Sequence, residues 1–213
     1  MHNAALPPPA VNLEPSLNIA NLRTMAEPIT KRMSASEFIP WAMARPRGRF
    51  ELYSGEVVAM APERARHNLV KLNVASTLRS LISKAGKDCT VFTDGMSVII
   101  DEHTVYEPDC LVQRGQTVDL DAVTAEKPMI VVEVLCPSTQ SLDTTDKLAD
   151  YFQLQSVHHD LIVNPVRHMV IHHHRGAENR IETTVLKEGE LNLDPPGITV
   201  PIAVFFQDIT PQA

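Results

Sequence analysis

The chain has 213 residues, enough for one sizeable hydrophobic core, and we expect a single domain. Apolar residues make up 44% of it and charged residues 21%, and no apolar run approaches the roughly 20 residues of a membrane span. This composition excludes a membrane-embedded or wholly disordered protein, and the net charge of -7 argues against a surface coated in basic charge for non-specific nucleic-acid binding.

The first residues and the cysteines indicate the compartment. Residues 1–31 are rich in Pro, Ala and Asn without a sustained period, which predicts a flexible N-terminal arm followed by one domain over 32–213. The start lacks a basic segment followed by an apolar one, so we expect no secretory signal and a cytoplasmic protein. Cys89, Cys110 and Cys136 form no C-x-x-C pair, so neither a disulfide framework nor a zinc ribbon is indicated.

The first part of the domain predicts a helix, a hairpin and a longer helix. Ser34 and Glu37 form a capping-box pattern before a short helix that we expect to be interrupted near Pro40. Residues 50–59 alternate in polarity around a Ser-Gly turn, which is typical of a β-hairpin. Apolar residues then recur at helical spacing over 67–83.

The remaining pattern predicts the core of an α/β fold. The segments CTVFTDGMSVII, TVYEPDCLVQR and PMIVVEVLC are expected to form three strands, followed by a helix from Asp143 and a fourth strand in HHDLIVNP. A helix between two apolar strands predicts a right-handed crossover with those strands parallel. We therefore expect a mixed central sheet flanked by helices, with an added β-hairpin over 168–190 and a Pro-rich C-terminal wrap.

Two carboxylates of this core suggest a metal site. Glu133 interrupts an apolar strand, where an isolated charge costs several kcal/mol unless a partner offsets it. Asp109 follows Pro108, which indicates a strand end or bulge that re-aims a side chain. Carboxylates on neighbouring strands suit Mg²⁺ or Mn²⁺, whereas a salt bridge for Glu133 and a hydrogen-bonding role for Asp109 are the alternatives.

Lys147 and two basic segments could place positive charge near this site. Lys147 lies one turn into the helix after the Glu133 strand and can either reach back over the carboxylates or face solvent. A local basic groove could come from the RPRGR segment at 45–49 or from Lys71, Arg79, Lys84 and Lys87, but ordinary solvated surface charge is the simpler interpretation.

In chain order, several segments resemble the Uma2 family of restriction-endonuclease-like proteins. They are FELYSGEVVAMAP, His67, PDCLV, IVVEVLCPST, the spaced Asp143, Lys147 and Tyr151, and LIVNP. The resemblance runs from about Ser34 to Phe206. That family is assigned to the PD-(D/E)XK nuclease superfamily, whose core order of helix, three strands, helix and strand matches the predicted elements.

The resemblance implies a restriction-endonuclease-like fold and a metal-dependent endonuclease that hydrolyses phosphodiester bonds in DNA. It implies Asp109 and Glu133 as ligands for Mg²⁺ or Mn²⁺, with His67 or Glu51 completing the site. The superfamily's lysine usually stands two residues after the glutamate, where this chain has Leu135, so the resemblance implies that Lys147 on the next helix replaces it. Cleavage of both strands would suit a symmetric homodimer.

Two other functions compete with an endonuclease. A non-catalytic nucleic-acid-binding or scaffold protein that retains the fold is favoured by the pI of about 5.7 and the displaced lysine. A cupin-like metal enzyme would use the run His172 to His174, but it requires a chain without the two long helices. His172 and His174 share one strand face and could bind Zn²⁺ or Ni²⁺, yet the sequence shows no third ligand nearby, so a solvent-facing hairpin is the simpler interpretation.

Overall fold

The structure is a computed structural model that describes residues 32–135 and 143–210. The predicted arm at residues 1–31 lies outside the described residues, as do residues 136–142 and 211–213. Predictions about these segments stay predictions.

Over the described residues the chain forms three α-helices and twelve β-strands. The helices are α1 (Ala35–Met43), α2 (Ala65–Lys84) and α3 (Asp143–Tyr151). The strands are β1 (Phe50–Tyr53), β2 (Glu56–Ala59), β3 (Cys89–Thr93), β4 (Val98–Asp101), β5 (Thr104–Tyr106), β6 (Cys110–Arg114), β7 (Pro128–Val134), β8 (His159–Asn164), β9 (Met169–Arg175), β10 (Ile181–Leu186), β11 (Glu190–Leu193) and β12 (Ile198–Pro201).

Helix α1 begins with the predicted capping box. The Glu37 N–H donates to Ser34 Oγ at 3.3 Å, and the Ser34 N–H donates to Glu37 Oε2 at 3.0 Å. The expected interruption near Pro40 is wrong, because the helix continues to Met43 and the Ala44 N–H donates to the Pro40 carbonyl. Pro40 therefore removes one backbone donor without ending the helix.

A six-stranded sheet in the order β10-β9-β8-β7-β6-β3 forms the centre of the domain. Strands β7 and β8 are parallel, as the predicted crossover through α3 requires, and the other neighbours are antiparallel. Strand β7 is buried except at Glu133, which explains its nearly uninterrupted apolar sequence. The predicted added hairpin is β9 and β10, and it extends this central sheet.

Two of the predicted strands are each divided between two sheets. CTVFTDGMSVII forms β3 and β4, and TVYEPDCLVQR forms β5 and β6. Gly95, with a positive φ of 98°, turns the chain after β3, and Pro108 separates β5 from β6. Strands β4 and β5 join the N-terminal hairpin in a four-stranded sheet, β2-β1-β5-β4, so the prediction that each of these two segments forms one strand was wrong. This second sheet brings the Glu51 hairpin to the start of β6.

Helix α2 and the C-terminal segment cover one face of the central sheet. Leu78 and Ile82 of α2 pack in the same buried cluster as Leu191, Ile202 and Phe205. The predicted wrap consists of the hairpin β11–β12 and a 3₁₀ helix, Ile202–Phe206. None of the helices in the described ranges combines the length and apolarity needed to cross a membrane.

Candidate metal and catalytic site

Asp109 and Glu133 are neighbours across β6 and β7. The antiparallel register pairs Cys110 with Val132, so Asp109 and Glu133 are the next residues along the two strands. Asp109 lies in the bend just before β6, and its Oδ2 accepts a hydrogen bond from the Val134 N–H at 2.7 Å. Asp109 is buried, whereas the Glu133 side chain keeps 17% of its surface exposed. The structure thus brings the two predicted ligands together, and their sharing of a metal stays a prediction.

Helix α2 presents two buried side chains to Asp109. His67 and Lys71 are one helical turn apart and therefore face the same side. The His67 Nε2 lies 2.9 Å from Asp109 Oδ1, and the Lys71 Nζ lies 3.8 Å from the same oxygen. The helix thereby contributes both an imidazole and a cation to the carboxylate.

A third acidic residue, Glu63, stands just before α2 and joins these groups. Its Oε2 accepts a hydrogen bond from Lys71 Nζ at 2.6 Å and lies 3.7 Å from His67 Nε2. The Arg49 guanidinium binds the other oxygen of Glu63, and Asp94 Oδ2 lies 3.3 Å from Arg49 and 3.2 Å from Lys71. Internal cations therefore balance several of the carboxylates.

The residues Glu63, His67 and Asp109 have the geometry of a cation site. Among the residues that the structure describes, their ligand atoms form a set of three that all lie within 4.8 Å of one another. Two carboxylates and an imidazole match the donors that Mn²⁺ accepts, and Mg²⁺ is commonly held by one or two carboxylates with waters. The donor set therefore fits a divalent ion, although Lys71 and Arg49 compete with it for the oxygens.

Glu133 has two partners on helix α3. Tyr151 donates a hydrogen bond from its hydroxyl to Glu133 Oε1 at 2.9 Å, and the Lys147 Nζ lies 3.5 Å from the same oxygen. Lys147 also donates to Glu51 Oε1 at 2.9 Å. Because Lys147 is buried, the alternative of a solvent-facing lysine is wrong. The carboxylate in the apolar strand is thus partnered by an ammonium and a phenol.

Burial and like charges act on the protonation of Glu133. Desolvation raises the pKa of its carboxyl to about 8, and the negative charges of Asp109 and Glu51 add to this effect, against the opposing influence of Lys147 and Tyr151. For Asp109, burial also disfavours ionisation, but the hydrogen bond with His67 and the Val134 N–H hold its pKa below the ordinary value. The surroundings therefore shift the pKa values of the two neighbouring carboxyls in opposite directions, and a cation would favour ionisation of both.

All five of the predicted site residues lie in this region. Asp109 and His67 belong to one half, and Glu133, Lys147 and Glu51 belong to the other.

Sequence reasoning missed Glu63 and Asp94, and it assigned Arg49 and Lys71 to a possible basic groove. Arg49 and Lys71 instead form ion pairs inside the acidic cluster, so the groove prediction is wrong for these two. The spacing of four between Glu63, His67 and Lys71 was the signal that could have revealed them.

Comparisons with known proteins bear on the family and the fold. A family model described as "Putative restriction endonuclease", Uma2, matches residues 35–203. An uncharacterized protein from Synechocystis is 24% identical over 121 residues, which cover 56% of this chain and only 62% of that protein. A crystal structure from Anabaena variabilis, described as a putative nuclease belonging to DUF820, has a TM-score of 0.65 at 15% identity and covers 84% of this chain and 99% of that one. The structural similarity confirms the predicted restriction-endonuclease-like α/β fold.

Proposed function

Because this chain belongs to the Uma2 family, we propose that it is a metal-dependent endonuclease that hydrolyses phosphodiester bonds in DNA. The observation that carries the proposal is the convergence of carboxylates, an imidazole and two lysines at the Asp109 end of β6 and β7. Such a mixture of acidic and cationic groups can bind a cation and an anionic phosphate at the same place.

We propose Asp109 and Glu133 as ligands of Mg²⁺ or Mn²⁺, with His67 and Glu63 grouped beside Asp109. A divalent ion there supplies positive charge that activates water and offsets the charge of the scissile phosphate. The His67 ring, 2.9 Å from Asp109, fixes the orientation of that carboxylate. The Val134 N–H holds its second oxygen against β7.

Lys147 serves as the cation that steadies the attacking water or a phosphoryl oxygen. Its ammonium is positioned by Glu51 at 2.9 Å and stands beside Glu133 at 3.5 Å. Tyr151, one turn further along α3, fixes Glu133 by its hydroxyl. A buried, oriented ammonium stabilises developing negative charge more strongly than one in water, because the surroundings screen it less.

Cleavage of supercoiled plasmid tests this function. We expect the wild type to cleave in Mg²⁺ or Mn²⁺ and to lose cleavage when the metal is chelated. The variants Asp109→Asn and Glu133→Gln should abolish cleavage, and Lys147→Ala should slow it by about tenfold to a thousandfold, the scale of one lost electrostatic donor. Lys147→Arg should restore only part of the rate, since a planar guanidinium is not a compact ammonium.

A matched control is Glu178→Gln, which removes an exposed carboxylate paired with Arg180. It should cleave like the wild type. Cleavage that survives in Asp109→Asn and Glu133→Gln would show that another site, or a contaminant, performs the reaction. Unchanged cleavage in Lys147→Ala alone would remove Lys147 from the mechanism.

A non-catalytic nucleic-acid-binding protein is the second candidate. It is favoured by the internal ion pairs of Lys71 and Arg49, which already neutralise part of the acidic cluster. If this candidate is correct, the wild type should bind DNA without cleaving it in Mg²⁺ or Mn²⁺. In Mn²⁺ calorimetry, Asp109→Ala should then behave like the wild type.

A further inference from the structure

Tyr106 lies at the end of β5, between two side chains of helix α3 that contact Glu133. The Lys147 Nζ stands 5.1 Å from the centroid of the Tyr106 ring, which is within the range of a cation–π contact. The Tyr151 ring packs edge-on against the same ring, with the centroids 5.5 Å apart and the planes inclined by 63°. One aromatic ring therefore contacts two α3 residues that contact Glu133.

The Tyr106 hydroxyl ties this ring to a third residue of α3. It donates a hydrogen bond to Asp150 Oδ2 at 2.5 Å. Asp150 and Tyr151 follow Lys147 by three and four positions, so the three side chains leave the helix on the same side. A side chain that contacts a helix at three such positions restrains both the rotation of the helix about its axis and its sliding along the sheet.

Tyr106 is itself held by the two sheets of the domain. Its side chain is buried, and it packs in one apolar cluster with Val98 and Leu111. Val98 lies directly opposite Tyr106 on β4, whereas Leu111 belongs to β6 of the central sheet. Because side chains in a close-packed interior have few alternative rotamers, the ring is a fixed surface against which α3 packs.

Glu107, the next residue along the chain, adds a second restraint on Lys147. The Glu107 N–H donates a hydrogen bond to Glu51 Oε1 at 2.9 Å, and the same oxygen accepts one from Lys147 Nζ, also at 2.9 Å. The ammonium is thus located by a ring face and by a carboxylate that are held at consecutive positions of the chain. These restraints matter because a lysine ammonium is a compact charge on a flexible stem, which does not fix its own direction.

We propose that Tyr106 is a positioning residue, which sets the place of Lys147 and Tyr151 against Glu133. It acts through these two side chains rather than on the substrate. The consequence for cleavage rests on the proposed function, whereas the effect on Lys147 is measurable in the metal-free protein. Two variants separate the contributions of the side chain, because Tyr106→Phe removes the hydroxyl alone and Tyr106→Leu also removes the ring.

Pulsed acetylation with acetic anhydride, quantified for each lysine by mass spectrometry, tests the positioning in the full chain with a chelator present. In the wild type we expect Lys147 and Lys71 to react slowly, because both are buried, and the exposed Lys84 to react fast. In Tyr106→Leu, Lys147 should react at least about tenfold faster relative to Lys84, the scale of a lost desolvated cation–π contact. In Tyr106→Phe it should react about threefold faster, because the ring remains and one hydrogen bond is lost.

Lys71 is the internal control, because it is buried elsewhere, beside Glu63, and should react as in the wild type in both variants. Tyr53→Phe is the matched control variant. It removes a hydrogen bond of 2.7 Å to Asp146 on the same helix, but this contact is exposed, so water can replace it. The reaction of Lys147 should therefore stay unchanged in Tyr53→Phe.

The proposal is overturned if Lys147 reacts as slowly in both Tyr106 variants as in the wild type, or if Tyr53→Phe accelerates it equally. It is also overturned if Lys71 accelerates as much as Lys147 in both variants, because this would indicate a general loosening of the fold. If Tyr106→Leu does not fold, Tyr106→Phe decides by the same criteria.

Plasmid cleavage tests the catalytic consequence. Tyr106→Leu should lower kcat by about tenfold to a hundredfold and leave KM and the Mn²⁺ affinity nearly unchanged, because Lys147 acts on charge that develops in the transition state. Tyr106→Phe should keep most of the rate. A wild-type kcat in Tyr106→Leu would show that the positioning does not serve cleavage and would overturn that part of the proposal. If the wild type cleaves no DNA, the proposed function fails, and the acetylation rates alone decide whether Tyr106 positions Lys147.

Discussion

At the scale of single residues, Glu133 shows how an apolar strand tolerates a carboxylate. Neither a full ion pair nor solvent alone stabilises it, because the Lys147 Nζ is 3.5 Å away and is held more closely by Glu51 at 2.9 Å. Burial raises the pKa of Glu133 to about 8, so the metal-free site holds a proton on this carboxyl more tightly than water does. A divalent ion would replace that proton, so the charge of Glu133 would depend on whether the ion is bound.

This pKa predicts a pH-dependent stability of the metal-free protein. Since the folded-state pKa of about 8 exceeds the ordinary 4.5, the folded state holds the proton more tightly than the unfolded chain. The resulting stability is present below about pH 4.5 and is lost as the pH rises through about 8, by roughly 1.4 kcal/mol per unit of pKa difference. Glu133→Gln should therefore raise the melting temperature near pH 8 and change it little near pH 5.

Thermal melts between about pH 5 and about pH 8, with a chelator present, measure this change in melting temperature. Glu178→Gln is the surface control. Asp160, whose pKa burial raises to about 7, contributes a loss of the same sign, so the slope should become smaller in Glu133→Gln without vanishing. A lower melting temperature for Glu133→Gln near pH 8 would instead identify Glu133 as half of a structural salt bridge.

At the scale of elements, helix α2 supplies charges to the site as well as apolar packing. Its buried stripe includes Val70, Val74 and Leu78. His67 and Lys71 lie at the start of the same helix and contact Glu63, which stands just before it. Lys71 is buried, and its attraction to Glu63, Asp94 and Asp109 raises its pKa against the cost of desolvation. Lys71 thus remains a cation in a position where a metal ion could also neutralise the carboxylates.

Removing this cation should make the protein more dependent on metal. In Lys71→Met, Glu63 and Asp109 lose a neutralising charge, so the metal-free protein should melt at a lower temperature than the wild type. Mn²⁺ should then raise the melting temperature of Lys71→Met more than that of the wild type, because the ion replaces the lost charge. Differential scanning fluorimetry with and without Mn²⁺ measures both shifts.

The control Lys84→Met removes an exposed lysine from the last turn of the same helix and should leave the Mn²⁺ response unchanged. An equal Mn²⁺ shift in Lys71→Met and the wild type would mean that the ion does not bind near Glu63 and Asp109.

The elements also show which parts of the structure the sequence could predict. The crossover between β7 and β8 was predictable because two apolar strands flank an amphipathic helix, and the pairing of Asp109 with Glu133 followed from neighbouring strands. The division of strands around Gly95 and Pro108 was not, because both halves of each segment are apolar and nothing local assigns them to different sheets. The sequence linked Glu51 to the site only through a family resemblance, because its contact with Lys147 spans 96 positions.

At the scale of the whole molecule, the net charge of -7 sets conditions on how a DNA substrate could be bound. Arg49 and Lys71 are engaged in internal ion pairs, whereas Arg47 and Arg79 are exposed. Arg45 is exposed too, but its guanidinium is held by the carbonyl and the ring of Trp41. A symmetric pair would double the phosphate contacts of one copy while presenting two sites to the two antiparallel strands.

We accordingly expect the active species on DNA to be a homodimer, with a mass of twice 23.6 kDa. If two sites act together, supercoiled plasmid should pass to the linear form with little accumulation of the nicked form. When the wild type is mixed with an excess of Asp109→Asn, the main product should shift from linear to nicked plasmid, because mixed dimers cut only one strand. Light scattering measures the mass with and without DNA, and the mixing experiment uses Glu178→Gln as the matched competent partner. A monomer that nicks first and linearises later, with a product ratio that added Asp109→Asn leaves unchanged, would contradict the dimer and show that each copy cuts alone.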